Sequence, residues 1–290
     1  SSEAFLPSER TFKPDHITPK LEGKDDGARK FDRDPHALKS AGDKAFAQGV
    51  NRLGLHLYSH QPFAEEKLPG LVTTYGTSFG RNLVWWPFAH AWADYLARCQ
   101  FLLQQGETVA DFLFCLGEDA YMGGGIGGVY GYDLRSGYDF DYCTGENVIE
   151  LCSVEDGRIV LPSGHRYPLL VVGGIKEMTF PLVEKLAALV EQGATVIAPR
   201  PSGSPSLADK VAGNDAKIDA LFKELWGGIN GSSVKENRYG KGRMLWGVKI
   251  PEALREMGVQ PAMTSDARKL EFEYRTVGTD EIFFLSTQSD

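Results

Sequence analysis

Residues 168–199 read PLLVVGGIKEMTFPLVEKLAALVEQGATVIAP, and this stretch decides the predicted fold class. The first apolar run, PLLVVGG, has the length of a buried strand and ends in glycine. MTFPLVEKLAALVEQG (178–193) repeats apolar residues at helical spacing, and ATVIAP (194–199) is a second short apolar run. A strand, a helix and a strand joined by short turns indicate parallel pairing, so the sequence predicts an α/β fold.

The same alternation continues on both sides of this stretch and indicates one doubly wound domain over residues 107–258. The tail, residues 272–290, instead alternates as two strands around a glycine-containing turn, which predicts that a β-domain begins near residue 263. The further elements predicted for the doubly wound domain are a strand VADFLFCLG (109–117), a helix KIDALFKELWG (217–227), a strand GKGRMLWGVKI (240–250) and a helix PEALREMG (251–258).

Residues 1–106 also predict α/β architecture, with a polar-ended strand between two helices. In NRLGLHLYSHQP (51–62) leucines alternate with glycine or polar residues, as they do in a half-buried strand. Such folds keep their chemistry at polar strand ends, so this one is the first candidate site. The flanking helices are predicted over 36–50 and 86–106, and long loops over 7–36 and 63–84 have the length usual for lids and binding loops.

Composition narrows the classes of function. The 290 residues carry a net charge of −8 and have a pI near 5.4, which argues against nucleic-acid binding because such proteins usually carry a basic surface. No apolar run reaches about 18 residues, so no membrane span is predicted. The four cysteines lack metal-binding spacing. Cys99 and Cys115 stand in apolar surroundings, which predicts buried free thiols.

Two histidines four residues apart, His56 and His60, leave three interpretations open. On a helix this spacing would bring both rings to one face, where they could bind zinc. On a strand it separates them by about 13 Å, which is too far for one ion. The pair can therefore be hydrogen-bonded structural groups, sugar-contacting groups or, least favoured, ligands of a transition metal.

Two alternative chemistries are disfavoured by missing motifs. The glycine-rich segment GGGIGG (123–128) follows a predicted strand, but it lacks the Lys-Ser/Thr ending of a phosphate loop and a helix directly after it. No nucleotide site is therefore predicted. An esterase that uses His56 with a serine is disfavoured because the chain has no GxSxG segment.

Carboxylates and aromatic rings point towards sugars. Glu3 in SSEAF, and Glu118 and Asp119 in LGEDA, are candidates because glycosidases place paired carboxylates at strand ends. A single glutamate near a terminus is nevertheless most often only solvated. Trp85 and Trp86 suit the apolar faces of sugars, but they can equally anchor the next helix to the core.

Four segments, in order, resemble the bacterial α-L-rhamnosidases of glycoside hydrolase family 106. Segments further along, among them EQGATVIAPRPSGSPSL, resemble the flavodoxin-like domain of that family, so the resemblance covers nearly the whole chain. YLARCQFLLQQG and HLYSHQP are its most specific parts, whereas the residues after GEDA depart from the family pattern. The four segments are SSEAF (1–5), LKSAGDKAFAQGVNRLGLHLYSHQP (38–62), WWPFAHAWADYLARCQFLLQQG (85–106) and GEDAY (117–121).

The resemblance implies an architecture and a reaction. It implies the closing part of a (β/α)8 barrel over 1–106, a flavodoxin-like α/β domain over 107–262 and the start of a β-sandwich-like domain over 263–290. It also implies hydrolysis of terminal α-L-rhamnosides with inversion, by two carboxylates and with a bound calcium ion, this chain being part of a larger enzyme. The implied partners are a rhamnose-containing glycan or glycoside and the remaining segments of the same enzyme. The implied location is periplasmic or secreted, with the cytoplasm as the alternative.

The resemblance also suggests roles for residues. Residues 51–62 would form the eighth barrel strand and SSEAF would end the seventh, which makes Glu3 the candidate general base. The general acid would stand on an earlier strand, outside these residues. The alternative function is a non-catalytic α/β scaffold or carbohydrate-binding module. The expected substrate contacts are His56, Tyr58, His60, Gln61, Trp85 and Trp86.

Overall fold

The computed structural model describes the backbone of residues 2–4 and, in full, residues 34–58, 60–62, 77–118, 137–173, 176–265 and 270–287. Two compact units result, Ser1–Thr108 together with Ala267–Asp290, and Val109–Asp266. Both contain helices and strands, so the predicted α/β class is confirmed. Secondary-structure elements are numbered in chain order across the two units.

The first unit contains β1 (Ser2–Ala4), α1 (Pro35–Ala47), β2 (Leu53–Leu55), α2 (Ala89–Leu103), β3 (Glu107–Thr108), β13 (Leu270–Val277) and β14 (Asp280–Thr287). The second unit contains β4 (Phe112–Cys115), β5 (Phe140–Cys143), α3 (Gly145–Leu151), β6 (Ser153–Glu155), β7 (Arg158–Val160), β8 (Arg166–Tyr167), β9 (Leu169–Val172), α4 (Phe180–Gln192), β10 (Thr195–Ile197), α5 (Leu207–Val211), α6 (Asp215–Trp226), β11 (Glu236–Tyr239), β12 (Gly242–Leu245) and α7 (Ile250–Glu256).

The second unit is built on one sheet with the order β5-β4-β9-β10-β12-β11. The first five of these strands are parallel, and β11 is antiparallel to β12. Counted along the chain, the parallel strands therefore lie in the order second, first, third, fourth, fifth. This is the parallel pairing predicted from the strand–helix–strand pattern. A separate small antiparallel sheet has the order β6-β7-β8.

Both faces of the sheet are buried at its central strands β4 and β9, which explains why these two strands are apolar throughout. On β4, Phe112 and Phe114 belong to the core on one face, while Leu113 and Cys115 belong to the core on the other. Side chains alternate along a strand, so a strand covered on both faces cannot carry a polar alternate. Helices α4 and α6 supply residues to the core that contains Leu113, and α7 supplies residues to the other.

In the first unit, helices α1 and α2 pack around a core of aromatic and leucine side chains. The hairpin of β13 and β14 joins this unit through β3, which pairs with β13, and through Phe284. The ring centroids of Phe284 and Phe46 lie 5.5 Å apart in an edge-to-face arrangement. The predicted domain boundaries after residues 106 and 262 stay predictions, as does the separate β-domain predicted from residue 263. In this structure the hairpin packs against α1. The core residues are Leu38, Phe46, Phe79, Leu83, Trp92, Leu96 and Leu103.

The strand predicted over 51–62 is shorter than the sequence pattern suggested. Strand β2 ends at Leu55, and the backbone then changes partner: Leu57 N donates to Thr77 O (3.1 Å) and Phe79 N donates to Leu57 O (3.0 Å). Tyr58 forms an isolated parallel bridge with Phe79. The peptide bond between His56 and Leu57 is cis. The predicted continuous strand is therefore wrong beyond Leu55, because a segment distant in sequence supplies the later hydrogen bonds.

A buried ion pair fastens β13 to the end of α2. Arg275 and Glu273 are both buried, and Nη1 of Arg275 lies 3.0 Å from Oε1 of Glu273. Arg275 Nε donates to Gln105 O (2.8 Å) and its Nη2 donates to Gly106 O (2.9 Å). Thr108 Oγ1 donates to Glu273 Oε1 at 3.0 Å. Each charge thus has several partners, which offsets the cost of removing it from water.

We expect Arg275→Leu to lower the free energy of unfolding by about 3–5 kcal/mol, because it removes the positive charge with which the buried carboxylate of Glu273 is paired. Chemical denaturation measures the loss. The matched control is Arg238→Leu, which removes an exposed arginine paired with Glu236 at 3.4 Å and should change stability by at most about 0.5 kcal/mol. Adding Glu273→Leu to Arg275→Leu should recover part of the loss. Equal, small effects of both single substitutions would contradict a buried pair.

Candidate functional site

The carboxyl end of β2 leads into a segment with exposed polar and aromatic groups suited to a ligand. Strands β1 and β2 pair in parallel, and the register joins Glu3 to Gly54. Parallel neighbours end at the same edge, so the backbone of Glu3 lies beside the strand that leads directly into His56. Residues 2–4 of SSEAF therefore pair with the three residues that directly precede HLYSHQP.

The predicted contact residues after β2 differ in exposure. His56 is half-buried, and its Nδ1 is enclosed without a hydrogen-bond partner among the residues that the structure describes. Tyr58 is 68% exposed, and His60 is exposed as well. The carbonyl oxygen of Gln61 accepts a hydrogen bond from Arg81 Nη2 (2.9 Å), which ties this segment to the residues before α2.

Trp85 and Trp86 connect the core of the first unit to the exposed ring of Tyr58. The Trp85 ring lies edge-to-face with the buried rings of Phe79 (6.3 Å) and Trp92 (6.0 Å). The Trp86 ring lies 6.1 Å from Trp85 and 5.9 Å from Tyr58. Trp85 therefore anchors the turn before α2 to the core, as one of the two interpretations predicted. Trp86 and Tyr58 form the outer end of this row of rings.

Two glutamines of α2 and its C-cap hold the start of β2 in place, and sequence reasoning missed them. Gln100 Oε1 accepts a hydrogen bond from Leu53 N (2.9 Å), and Gln104 Nε2 donates to Asn51 O (3.0 Å). Gln104 Nε2 also donates to Gln100 O at 3.0 Å. These side chains satisfy backbone groups beside β2, which strand pairing would otherwise satisfy. Gln100 and Gln104 lie four residues apart in the segment CQFLLQQG, which places them on one face of a helix, and this spacing is the sequence feature that could have identified them.

A polar cluster between α1 and α2 supports the same region. Buried Asp43 pairs with Lys39, and Tyr95 donates its hydroxyl to Asp43 Oδ1 at 2.5 Å. Lys39 Nζ also donates to the Tyr95 hydroxyl at 3.1 Å. Burial, together with Asp43, raises the pKa of Tyr95 well above its usual value. Tyr95 therefore stays protonated and acts as a hydrogen-bond donor that links the helices.

In the second unit, the carboxylate at the end of β4 caps a helix. Glu118 accepts hydrogen bonds from Thr179 N (2.9 Å) and from the Thr179 hydroxyl (2.5 Å). Asp209 Oδ2 accepts from Phe180 N at 2.9 Å. The N-terminus of α4, a position that favours anions, is thus occupied by the protein's own carboxylates. Asp119 and the glycine-rich segment 123–128 lie outside the described residues.

Asp111, which precedes β4, is a half-buried carboxyl at the amino end of that strand, opposite to the end that carries Glu118. Asp111 N donates to Asp139 O (2.8 Å), and Asp111 Oδ2 accepts from Asp139 N (2.9 Å). Burial raises the pKa of Asp111 to about 6, although the hydrogen bond from Asp139 N lowers it in part. Open α/β sheets bind ligands at the carboxyl ends of strands, so we interpret Asp111 as a structural group.

Across the described residues, no group of three or more histidine, cysteine, aspartate or glutamate side chains converges as a metal site would require. The calcium ion that the resemblance implies therefore finds no such ligand set among those residues. No helix in the described part of the chain is long and apolar enough to cross a membrane.

Comparison with known proteins identifies similar chains. A family model described as alpha-L-rhamnosidase matches residues 22–290. The structure of a rhamnosidase from Novosphingobium sp. PP1Y is similar with a TM-score of 0.74 and 34% sequence identity, over 88% of this chain and 24% of that one. A protein of Formosa agariphila with the provisional name beta-glucuronidase is 38% identical over 202 residues, which are 68% of this chain and 16% of that one. The chain thus spans less than a quarter of the length of either relative.

Truncation of Trp85, at the inner end of the row of rings, should lower the stability of the protein more than truncation of Tyr58, at its outer end. Trp85→Ala removes a ring that packs on buried Phe79 and Trp92, so we expect it to lower the free energy of unfolding by about 2–4 kcal/mol. Tyr58→Ala removes a ring that is 68% exposed and should cost less than about 1 kcal/mol. Chemical denaturation of both variants tests this. A loss for Tyr58→Ala as large as that for Trp85→Ala would contradict the arrangement.

Asp111→Asn should stabilise the protein at neutral pH. The folded-state pKa of about 6 lies above the unfolded value near 3.9, so the folded state retains a proton between those values. Stability contributed by that proton is present below pH 4 and is lost as the pH rises through 6. We expect a gain on the order of 1 kcal/mol at pH 7.5, after allowance for partial exposure, and none at pH 4.

Thermal unfolding from pH 4 to 8 measures this difference. Asn keeps an oxygen that can accept from Asp139 N, so the substitution removes the charge and preserves the hydrogen bond. Asp94→Asn, at an exposed position on α2, is the control and should show no such pH-dependent gain. A gain for Asp111→Asn that is the same at pH 4 and pH 7.5 would contradict the assignment.

Proposed function

Because the chain belongs to the alpha-L-rhamnosidase family of glycoside hydrolases, family 106, we propose that it forms part of an enzyme that hydrolyses terminal α-L-rhamnosides with Glu3 as general base. The parallel register of Glu3 with Gly54 carries this proposal. It brings a strand that contains a carboxylate beside the strand that leads to His56, at the edge where α/β folds keep their catalytic groups.

The proposed reaction is an inverting hydrolysis. Glu3 would remove a proton from a water molecule as that water attacks the anomeric carbon, and a carboxylic acid from an earlier strand would protonate the departing glycosidic oxygen. Two carboxyl groups roughly 6.5–9.5 Å apart leave room for the water. The acid lies outside this chain in the proposal, so the complete site needs other segments of the same enzyme.

The residues after β2 would bind the sugar. The enclosed Nδ1 of His56 supports this role, because buried polar atoms in proteins nearly always have a partner and a sugar hydroxyl can supply one. Tyr58 and Trp86 offer ring faces to apolar C–H groups of the sugar, whereas Trp85 would act mainly by holding Trp86. The proposed substrate contacts are His56, Tyr58, His60, Gln61, Trp85 and Trp86.

The proposed architecture is the closing part of a (β/α)8 barrel followed by a flavodoxin-like domain and the start of a β-sandwich-like domain. The order β1, α1, β2, α2 with parallel strands supports the barrel. Leu55 on β2 is 43% exposed, and parallel sheets are normally covered on both faces, which supports a role for further segments of the enzyme. The order 2-1-3-4-5 of the parallel strands in the second unit is that of flavodoxin-like folds.

Calcium binding and a periplasmic or secreted location also remain proposals, and they rest on the resemblance to the family. The alternative function is a non-catalytic scaffold or carbohydrate-binding module. The name of the Formosa agariphila relative favours testing a second substrate class, β-glucuronides, beside rhamnosides.

We expect Glu3→Gln, made in the full-length enzyme, to lower kcat on an aryl α-L-rhamnoside by about 10²–10⁴-fold, because general base catalysis contributes that much. The matched control is Glu118→Gln, a glutamate at another strand end whose carboxylate caps α4. It should change kcat by less than about tenfold. NMR of the first sugar released should show the inverted anomer.

Three outcomes would contradict the proposal. A loss below about tenfold for Glu3→Gln would remove Glu3 as the base. Hydrolysis of an aryl β-glucuronide with no hydrolysis of the rhamnoside would replace the substrate class. Binding of rhamnosides by the full-length protein without turnover of either substrate would favour the non-catalytic alternative.

A further inference from the structure

Two cysteines of the second unit stand opposite each other at the ends of neighbouring strands. Cys115 is the last residue of β4, Cys143 is the last residue of β5, and the parallel register pairs them directly. Adjacent strands lie about 4.8 Å apart, which falls within the Cα separation of about 4.4–6.8 Å that a disulfide spans. The backbone therefore already holds these residues at a distance suited to a covalent bond.

The two side chains also point to the same face of the sheet. Cys115 and Cys143 belong to one buried cluster, so their sulfur atoms share a single apolar environment. The thiols interact: the hydrogen bond with Cys143 lowers the pKa of Cys115, while the same hydrogen bond and burial raise the pKa of Cys143. Both cysteines are free thiols in this structure.

The surrounding backbone keeps the pair aligned and leaves some freedom for adjustment. Leu116 N donates to Cys143 O (2.8 Å), and Gly145 N donates to Gly117 O (3.0 Å), so the two strands remain joined just beyond the cysteines. Gly117 has a φ of 88°, which marks the point where the chain turns out of β4. Disulfide geometry is specific, so the proposed bond requires a small adjustment of these two strand ends.

We propose that Cys115 and Cys143 form a reversible disulfide by exchange with a low-molecular-weight disulfide. The Cys115 thiolate, which the hydrogen bond with Cys143 favours, attacks the donor disulfide and releases one donor thiolate, which takes up a proton. The Cys143 sulfur, once deprotonated, then attacks the sulfur of Cys115 in the mixed disulfide and releases the second donor thiolate, which is protonated in turn. The two cysteines lose two electrons and two protons, and the donor becomes two thiols.

The disulfide would join the end of β4 to the end of β5 and so link the strand ends on either side of the segment that connects them. That segment includes Glu118, which caps α4, and the glycine-rich residues 123–128. A covalent link across it reduces the conformational freedom of the unfolded chain, so the oxidised protein should be the more stable form. The remaining cysteines lack this arrangement: Cys152 follows α3, and Cys99 lies in the first unit.

The test is oxidation of the intact chain by glutathione disulfide over a series of ratios to reduced glutathione, followed by alkylation and mass spectrometry. Of the four cysteine thiols, two should be lost, with a mass decrease of two hydrogen atoms. Peptide mapping should find the Cys115–Cys143 link, and reduced glutathione should reverse it. The oxidised form should melt a few degrees higher than the reduced form.

Variants separate this pair from the other thiols. Cys115→Ser and Cys143→Ser should each abolish the internal link, whereas Cys99→Ser and Cys152→Ser should leave it intact. If the first two variants fail to fold, the peptide map of the wild-type chain still decides. The proposal is overturned if all four cysteines can still be alkylated at the highest ratio of glutathione disulfide to reduced glutathione. A disulfide that involves Cys99 or Cys152 would overturn it as well.

Discussion

Parallel strand pairing is the constraint on which both units depend. Parallel neighbours end at the same edge, and each connection must cross a face of the sheet, usually as a helix. In the second unit this arrangement buries both faces of the sheet, so Phe112 and Leu113, neighbours in sequence, belong to two different cores. In the first unit the same pairing aligns the ends of β1 and β2. The position of the candidate site is thus a consequence of strand direction.

The sequence predicted those elements whose stability depends on their own apolar pattern. Helix α4 was predicted over 178–193 and occupies Phe180–Gln192, because six of its side chains form a continuous buried face. The strands around it were recognised for the same reason. The end of β2 could not be predicted in this way. Leucine and polar residues still alternate beyond Leu55, yet Leu57 there forms its hydrogen bonds with the backbone of Thr77 and Phe79.

At the candidate site, too, features that depend on residue type could be predicted from the sequence, whereas contacts between distant segments could not. Residue type selected His56, Tyr58 and Trp86 as groups suited to a sugar, and this choice stays a prediction. Their supports depend on contacts between segments far apart in the chain. Gln100 can be recognised as the partner of Leu53 only once α2 and β2 are placed side by side. Likewise, burial rather than sequence context raises the pKa of Asp111.

Two glutamates at strand ends illustrate why position alone does not define a catalytic carboxylate. Glu118 stands at the end of a parallel strand, as Glu3 does in the proposal, but both of its oxygens accept hydrogen bonds from Thr179. Each oxygen of Glu118 that takes part in the cap of α4 has one lone pair fewer to offer to a water molecule. The helix end therefore competes with chemistry for the same oxygens.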